Sequence, residues 1–403
     1  MSGTPGDGLL EIHIRTGHPD FLDLPWAVPL ARWNEACTRL VELQRGISRH
    51  EVRFVSYKHA VYAVKELADG MAEHEHDFLV RMEARDLPSV VPVGHARVRR
   101  EGDLGSVLIT RFLDASLPYR LLFQNPGLER YRERLIDAMA GLIVRLHLAG
   151  VYWGDCSLSN TLFRRDAGEL GAYFVDAETS EMHETLSDGQ RRQDLLILEE
   201  NVAGELADLA AFAQVPHAPA GDGTGERIVE RYQALWHEVR REVVVAPGES
   251  WRIQERVRAL NALGFSVGEI ELVATGEGDR LRMRTLVTDR EYHRHRLHDL
   301  TGLEALEKQA ELMLNEIREL QAGLTRELDR SVPLSVAAFR WQTERYEPIV
   351  RRLAGLVGRA GDPRELYCQV LEHKWFLSEQ ARTDVGLEAA ASDYQRRFAP
   401  WIA

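Results

Sequence analysis

The chain has 403 residues, 44% apolar and 28% charged, with a formal net charge of −13. Such a chain buries a sizeable core as two or three domains, and its negative balance argues against a broad nucleic-acid-binding surface. The three cysteines, Cys37, Cys156 and Cys368, cannot all pair and read as reduced thiols. The N-terminus lacks a charged segment followed by an apolar run. No window offers about 18 uninterrupted apolar residues; the best is broken by Arg145 and His147. A cytoplasmic protein without a membrane span is expected.

Residues Leu9 to Ile14 alternate weakly, as a short strand does. Pro19 to Pro29 is turn-rich, and its aromatic residues Phe21 and Trp26 should pack it onto the body of the domain. A strand–turn pattern follows. Leu40 to Leu43 leads into Arg45-Gly46-Ile47-Ser48-Arg49. Glu51 to Tyr57 alternates with Val52 and Phe54 on one face, and Val61 to Leu67 carries Lys65. Met71 to Met82 reads as a helix, with Glu75, Leu79 and Met82 on one face and Glu73 on another. Val90 to Val98 and Ser106 to Phe112 read as two further strands, and Leu121 to Arg134 and Leu135 to Leu148 as helices. Gly150 is placed to cap the second helix.

Next comes Gly154-Asp155-Cys156-Ser157-Leu158-Ser159-Asn160, an aspartate with an asparagine five positions on. The apolar run Ala172 to Val175 then delivers a second aspartate, Asp176. Phosphoryl transfer needs such groups: one carboxylate to orient an attacking hydroxyl, and a carboxylate plus an amide oxygen to hold Mg²⁺ on the phosphates. Asp194 opens an amphipathic run to Leu209.

These motifs resemble the protein-kinase-like superfamily. Leu146-His147-x-x-Gly150 and Trp153-Gly154-Asp155 stand where kinases carry L-H-x-x-G and H-R-D. The Gly-Asp form is similar to the lipopolysaccharide kinase and aminoglycoside phosphotransferase group. The whole chain resembles an uncharacterised bacterial family that adds a C-terminal domain of unknown role. The resemblance implies an α+β class: a bilobal kinase-like fold with an antiparallel-sheet N-lobe (1–113) and a helical C-lobe (114–222). A mostly helical domain with a β-hairpin (223–403) should follow. It implies ATP and Mg²⁺ as cofactors. Asp155 would act as base, Asn160 and Asp176 would hold the metal, and Lys65 would contact the nucleotide phosphates and be held by Glu75. Gly46 and Ser48 would lie in the loop over the phosphates, and Thr110 to Leu113 would form the adenine-binding hinge. His147 and Asp194 would brace the catalytic loop, and Cys156 would be a small packed residue.

Gly154 replaces the arginine that regulated protein kinases use to read an activating phosphate, and Asp176 is followed by Ala177-Glu178 rather than Phe-Gly. A small-molecule or sugar acceptor is therefore favoured over an extended peptide. A nucleotide-binding pseudokinase and an adenylyl-transferring enzyme remain the alternative readings.

Beyond the boundary at Ala213 to Glu226, helical periodicity resumes at Ile228 and again from Trp251 to near Gly264. Gly268 to Thr275 and Arg280 to Thr288 read as a hairpin. Helices are expected over Leu303 to Leu320, Leu334 to Leu356 and Pro363 to Gln380. The Tyr292 to Arg296 cluster reads as a solvated helix face. No nucleophile–base pair or metal-ligand cluster stands out here, so this module is expected to recognise an acceptor or dock a protein partner.

Overall fold

The computed structural model describes residues 8–43, 50–58, 60–100, 102–124, 131–213, 223–241, 243–245, 255, 266–274, 281–289, 292–356 and 362–402. The chain divides into two compact units: 1–164 with 172–233, and 165–171 with 234–403.

The first unit begins with a five-stranded antiparallel sheet. Its strands are β1 (Leu9–Ile14), β2 (Val52–Tyr57), β3 (Ala60–Ala68), β4 (Pro92–Arg100) and β5 (Asp103–Arg111), in the order β1-β4-β5-β3-β2. Side chains alternate across a strand. Tyr62 and Val64 of β3 therefore enter one core with Val55, Val107 and Ile109, while Lys65 between them and Leu67 faces the other way. The N-terminal arm covers that core with Phe21, Trp26 and Trp33, all fully buried; Trp33 opens the single turn α1 (Trp33–Ala36). Helix α2 (Met71–Glu83) buries Ala72, Glu75, Phe78, Leu79 and Met82.

Leu40 to Leu43 does not form a full strand. Leu40 makes an isolated bridge to Val55, and the Val41 amide donates to Phe54 O at 3.0 Å. The fifth strand of the sheet is β1, on the opposite edge.

The helical half of this unit follows β6 (Ser116–Pro118) and α3 (Tyr119–Gln124). Its central helix α4 (Tyr131–Leu148) is apolar nearly all round and accordingly buried. It starts at Tyr131 rather than Leu135, because Tyr131, Leu135, Ala138, Met139 and Leu142 already form one buried stripe. Beyond it lie β7 (Val151–Tyr152), β8 (Thr161–Asp166), β9 (Glu169–Phe174) and β10 (Glu181–Met182), which pairs with β7.

Helix α5 (Asp188–Ala213) starts six residues before Asp194. The reason is a capping box in Ser187-Asp188-Gly189-Gln190. The Gln190 amide donates to Ser187 Oγ at 3.2 Å, and the Ser187 amide donates to Gln190 Oε1 at 3.0 Å. Helix α6 (Thr224–Arg240) follows.

The second unit contains β11 (Val243–Val245), β12 (Ser266–Ala274) and β13 (Leu281–Asp289). β12 and β13 form the expected hairpin, with Glu271 opposite Arg284. The expected helix from Trp251 to Gly264 lies outside the described residues. Helices α7 (Tyr292–Thr301) and α8 (Glu307–Glu327) follow. The expected helix Leu334 to Leu356 is divided into α9 (Leu334–Trp341), a π-turn (Gln342–Tyr346), α10 (Glu347–Leu353) and a final 3₁₀ turn. Pro348 lacks the N–H that an uninterrupted α-helical ladder would use. Helices α11 (Pro363–Ala381) and α12 (Leu387–Ile402) complete the unit. Its core gathers Met313, Leu314, Ile317, Trp341, Tyr367 and Ala391. Trp341 Nε1 and Tyr367 OH both donate to Glu316, at 2.9 and 2.6 Å. Among the described residues no helix is long and apolar enough to cross a membrane.

Candidate active site

Lys65 projects from the face of β3 opposite the aromatic core and meets two carboxylates. Its Nζ lies 3.1 Å from Glu75 Oε2 and 2.8 Å from Asp176 Oδ2. Glu75 is 1% exposed, whereas Glu73, two positions earlier in α2, faces solvent. Glu75 also accepts the Ala177 amide at 3.3 Å, which ties α2 to the segment carrying Asp176. Burial pushes the Glu75 carboxyl up to about 7 against the opposing pull of Lys65, and nearby Asp176 adds to the rise. Burial by itself would lower Lys65, but Glu75 and then Asp176 outweigh it and raise its pKa.

A titration follows from these shifts. Glu75 is ionised above its raised pKa and takes a proton below it, releasing its hold on Lys65. Affinity for Mg²⁺–ATP is expected to decline as pH falls from about 8 to about 6. Glu75→Gln should flatten the part of that decline due to this group, leaving the nucleotide's own titration. Calorimetry of both proteins across the range checks it; parallel curves would refute it.

The loop after β7 carries the second half of the site. Asn160 Nδ2 donates to Asp155 Oδ2 at 3.0 Å and to the Asp155 carbonyl at 3.1 Å. This orientation leaves the Asn160 amide oxygen as the end that could face a metal. Asn160 Oδ1 and the Asp176 carboxylate are hard oxygen donors of the kind Mg²⁺ takes, with its remaining positions filled by phosphates and water. Among the described residues there is no cluster of three or more His, Cys, Asp or Glu side chains fit to cage a metal. A two-ligand site completed by nucleotide does not require one.

Lys65, Asn160 and Asp176 line a cavity of about 360 Å³ together with Val52, Ala63, Val90 and residues 110–113. That volume lies in the range of small-ligand sites. The apolar walls suit a flat base, and the polar groups suit its phosphates. Thr110 to Leu113, expected as the hinge, are in the cavity wall. Gly46 and Ser48 lie outside the described residues.

Helix α5 fastens the loop from below. Asp194, fully buried, accepts the amides of Trp153 and Gly154, both at 2.8 Å, and His147 Nε2 at 3.2 Å. His147 Nε2 therefore carries the proton, and Nδ1 accepts from Tyr232 OH at 2.8 Å. Burial lowers the His147 pKa despite Asp194, so the ring is a neutral brace. Two further α5 side chains were not anticipated. Asn201 Nδ2 donates to Asp155 Oδ1 at 3.1 Å and to Cys156 O at 3.0 Å. Glu205 accepts the amides of Leu158 and Ser159, both at 2.8 Å. The available signal was helical spacing: Asn201 and Glu205 fall seven and eleven residues after Asp194, on the same apolar face.

Gly154 adopts a φ of +78°, and a Cβ there would lie 2.7 Å from the Thr179 carbonyl oxygen. Glycine is the residue that fits this turn, so the absent arginine is excluded sterically. Cys156 is fully buried, and burial pushes its thiol well above the usual range. It packs beside Asp155 rather than serving as a nucleophile.

An antiparallel sheet carrying a Lys–Glu pair, joined to a helical half with an Asp…Asn loop and a second aspartate, is the arrangement of the kinase-like fold. Residues 39–215 match the family model of the lipopolysaccharide kinase (Kdo/WaaP) family, and residues 234–398 match a domain of unknown function, DUF4032. The chain thus carries a match to the lipopolysaccharide kinase family followed by a match to DUF4032. No curated protein matches it. Among solved structures, WaaP in complex with acyl carrier protein is 15% identical with a TM-score of 0.37, covering 63% of this chain and 99% of that chain. An aminoglycoside-3'-phosphotransferase of type VIII is 15% identical with a TM-score of 0.33, covering 49% of this chain and 86% of that chain.

Proposed function

We propose that the protein is an ATP- and Mg²⁺-dependent phosphotransferase acting on a hydroxyl of a small-molecule, sugar or envelope-related acceptor. The observation that carries this reading is the convergence of Lys65, Asn160 and Asp176 on one cavity, with Asp155 hydrogen-bonded to Asn160. Lys65, steadied by Glu75, contacts the nucleotide phosphates. Asn160 and Asp176 hold Mg²⁺, which when bound neutralises charge on the transferring group. Asp155 accepts the proton of the acceptor hydroxyl as that oxygen attacks the γ-phosphorus. The bond from phosphorus to the β–γ bridging oxygen breaks, and ADP leaves with its electron pair.

The short chain after Asp176 supports a compact acceptor. Only residues 177–187 separate Asp176 from α5, and Glu181–Met182 within them pair with β7. That leaves little chain for a platform that supports an extended peptide, and Gly154 offers no charge to read an activating phosphate. The C-terminal domain serves recognition or docking.

The test is mass spectrometry of small-molecule extracts and proteins incubated with ATP and enzyme. Gain of a phosphate supports phosphotransfer. Gain of a nucleotide would indicate adenylyl transfer, and no gain would indicate a binding module. Nucleotide affinity should also depend on metal, because Asp176 and the phosphates repel each other without it. Calorimetry is expected to show tight ATP binding with Mg²⁺ and weak binding in excess EDTA. Equal affinity in both would contradict the metal roles of Asn160 and Asp176.

A further inference from the structure

The hydrogen bonds from α5 fall at the start, middle and end of the loop, and the middle one reaches the reactive carboxylate itself. Asp194 accepts the Trp153 and Gly154 amides together with the His147 ring and the Cys156 thiol, and Glu205 accepts the Leu158 and Ser159 amides together with the Ser159 hydroxyl, so neither reaches the Asp155 carboxylate. Asn201 donates to Asp155 Oδ1, while Asn160 donates to Oδ2. We propose that Asn201 is a positioning residue for the proton-accepting carboxylate, setting the plane of Asp155 from the side opposite the metal-binding asparagine.

The terminal torsion of an aspartate is broad and roughly two-fold, so backbone placement by itself does not aim its oxygens. Two donors on opposite oxygens do. Asn201 is itself anchored, because the same Nδ2 reaches the Cys156 carbonyl at 3.0 Å. The choice of an amide matters chemically. A lysine or arginine there would orient the carboxylate equally well, but its charge would lower the basicity on which proton acceptance depends. An amide orients without that cost. The two asparagines also divide the work. Asn160 serves both Asp155 and the metal, so its loss should damage nucleotide binding and turnover together. Among the described residues Asn201 hydrogen-bonds to Asp155 and Cys156 O and does not line the cavity, so its loss should separate the two.

This inference rests on the phosphotransferase reading, and the experiment keeps the two apart. Full-length wild type, Asp155→Ala, Asn201→Ala and Asn201→Asp are compared by ATP turnover with water as acceptor, by calorimetry with Mg²⁺–ATP and by crystallography. Asn201→Ala is expected to lower kcat about 10- to 100-fold with Mg²⁺–ATP affinity within about twofold, as a misaimed catalytic group would. Asn201→Asp keeps the shape but replaces a donor with a like charge, and should lose at least as much. Wild-type kcat in Asn201→Asp would reduce Asn201 to packing and overturn the proposal. So would a parallel fall of kcat, affinity and thermal stability in both variants. If wild type and Asp155→Ala turn over ATP equally, the phosphotransferase reading fails. The crystal structure of Asn201→Ala then decides the positioning claim. A displaced or split Asp155 carboxylate supports it, and an ordered carboxylate in the wild-type rotamer overturns it.

Discussion

Asp155→Ala is expected to lower turnover on the order of 10²–10⁴-fold while Mg²⁺–ATP affinity changes by less than about threefold. The asymmetry follows from what each side chain touches. Asp155 contacts Asn160 and Asn201 but is not among the residues lining the cavity, whereas Asp176 lines it and pairs with Lys65 at 2.8 Å. Asp176→Ala should therefore damage Mg²⁺–ATP binding first and turnover as a consequence. Single-turnover kinetics beside calorimetry separates the two. Equal loss of binding in both variants, with both folded, would remove the division between base and metal ligand. An Asp155→Ala protein with full turnover would remove the base altogether.

Asp194→Ala should be the costliest single change in the kinase-like unit. Its carboxylate is fully buried and satisfies two backbone amides and the His147 ring. Truncation would strand those donors where water does not reach. An unsatisfied buried donor costs about 1–3 kcal/mol, so stranding three puts the combined loss at roughly 3 kcal/mol or more. Gly154, whose amide is one of the three, sits directly before Asp155, so a folded remnant should also lose turnover. Chemical denaturation of both proteins is the check. A loss below about 1 kcal/mol would mean that the loop is held by its other contacts, among them Glu205 and the hydroxyls of Thr179 and Ser180, which both donate to Trp153 O.

Much of the candidate site is written locally. Lys65 follows Val64 on a strand, and alternation puts one into the aromatic core and the other on the cavity side. Glu75 is distinguished from Glu73 by sharing a helix face with Leu79 and Met82, and it is the buried one. Asp155, Asn160 and Asp176 are legible as a spaced set because the loop and the strand after it hold them at short chain separations. The box Ser187-x-x-Gln190 was equally local; its reciprocal bonds start α5 earlier than the apolar periodicity beginning at Asp194 suggested.

Other features depend on partners that are distant in the chain. Asn201 meets Asp155, and Glu205 meets Leu158 and Ser159, across more than 40 intervening residues. No pattern around them names those partners. The requirement for glycine at 154 arises from the approach of Thr179 O, and Gly150, with the positive φ of +78° that a helix-capping glycine takes, is likewise approached by the His183 carbonyl. The helix Leu387–Ile402 likewise places Ala390, Ala391 and Tyr394 in one core with Trp341 and Tyr367, residues distant in the chain. By itself the sequence determined which residues are candidates for the chemistry and which faces are buried, because both are properties of residue type and period. Only the tertiary structure decided which donors meet the Asp155 carboxylate, because periodicity specifies that a face needs a partner but not which one.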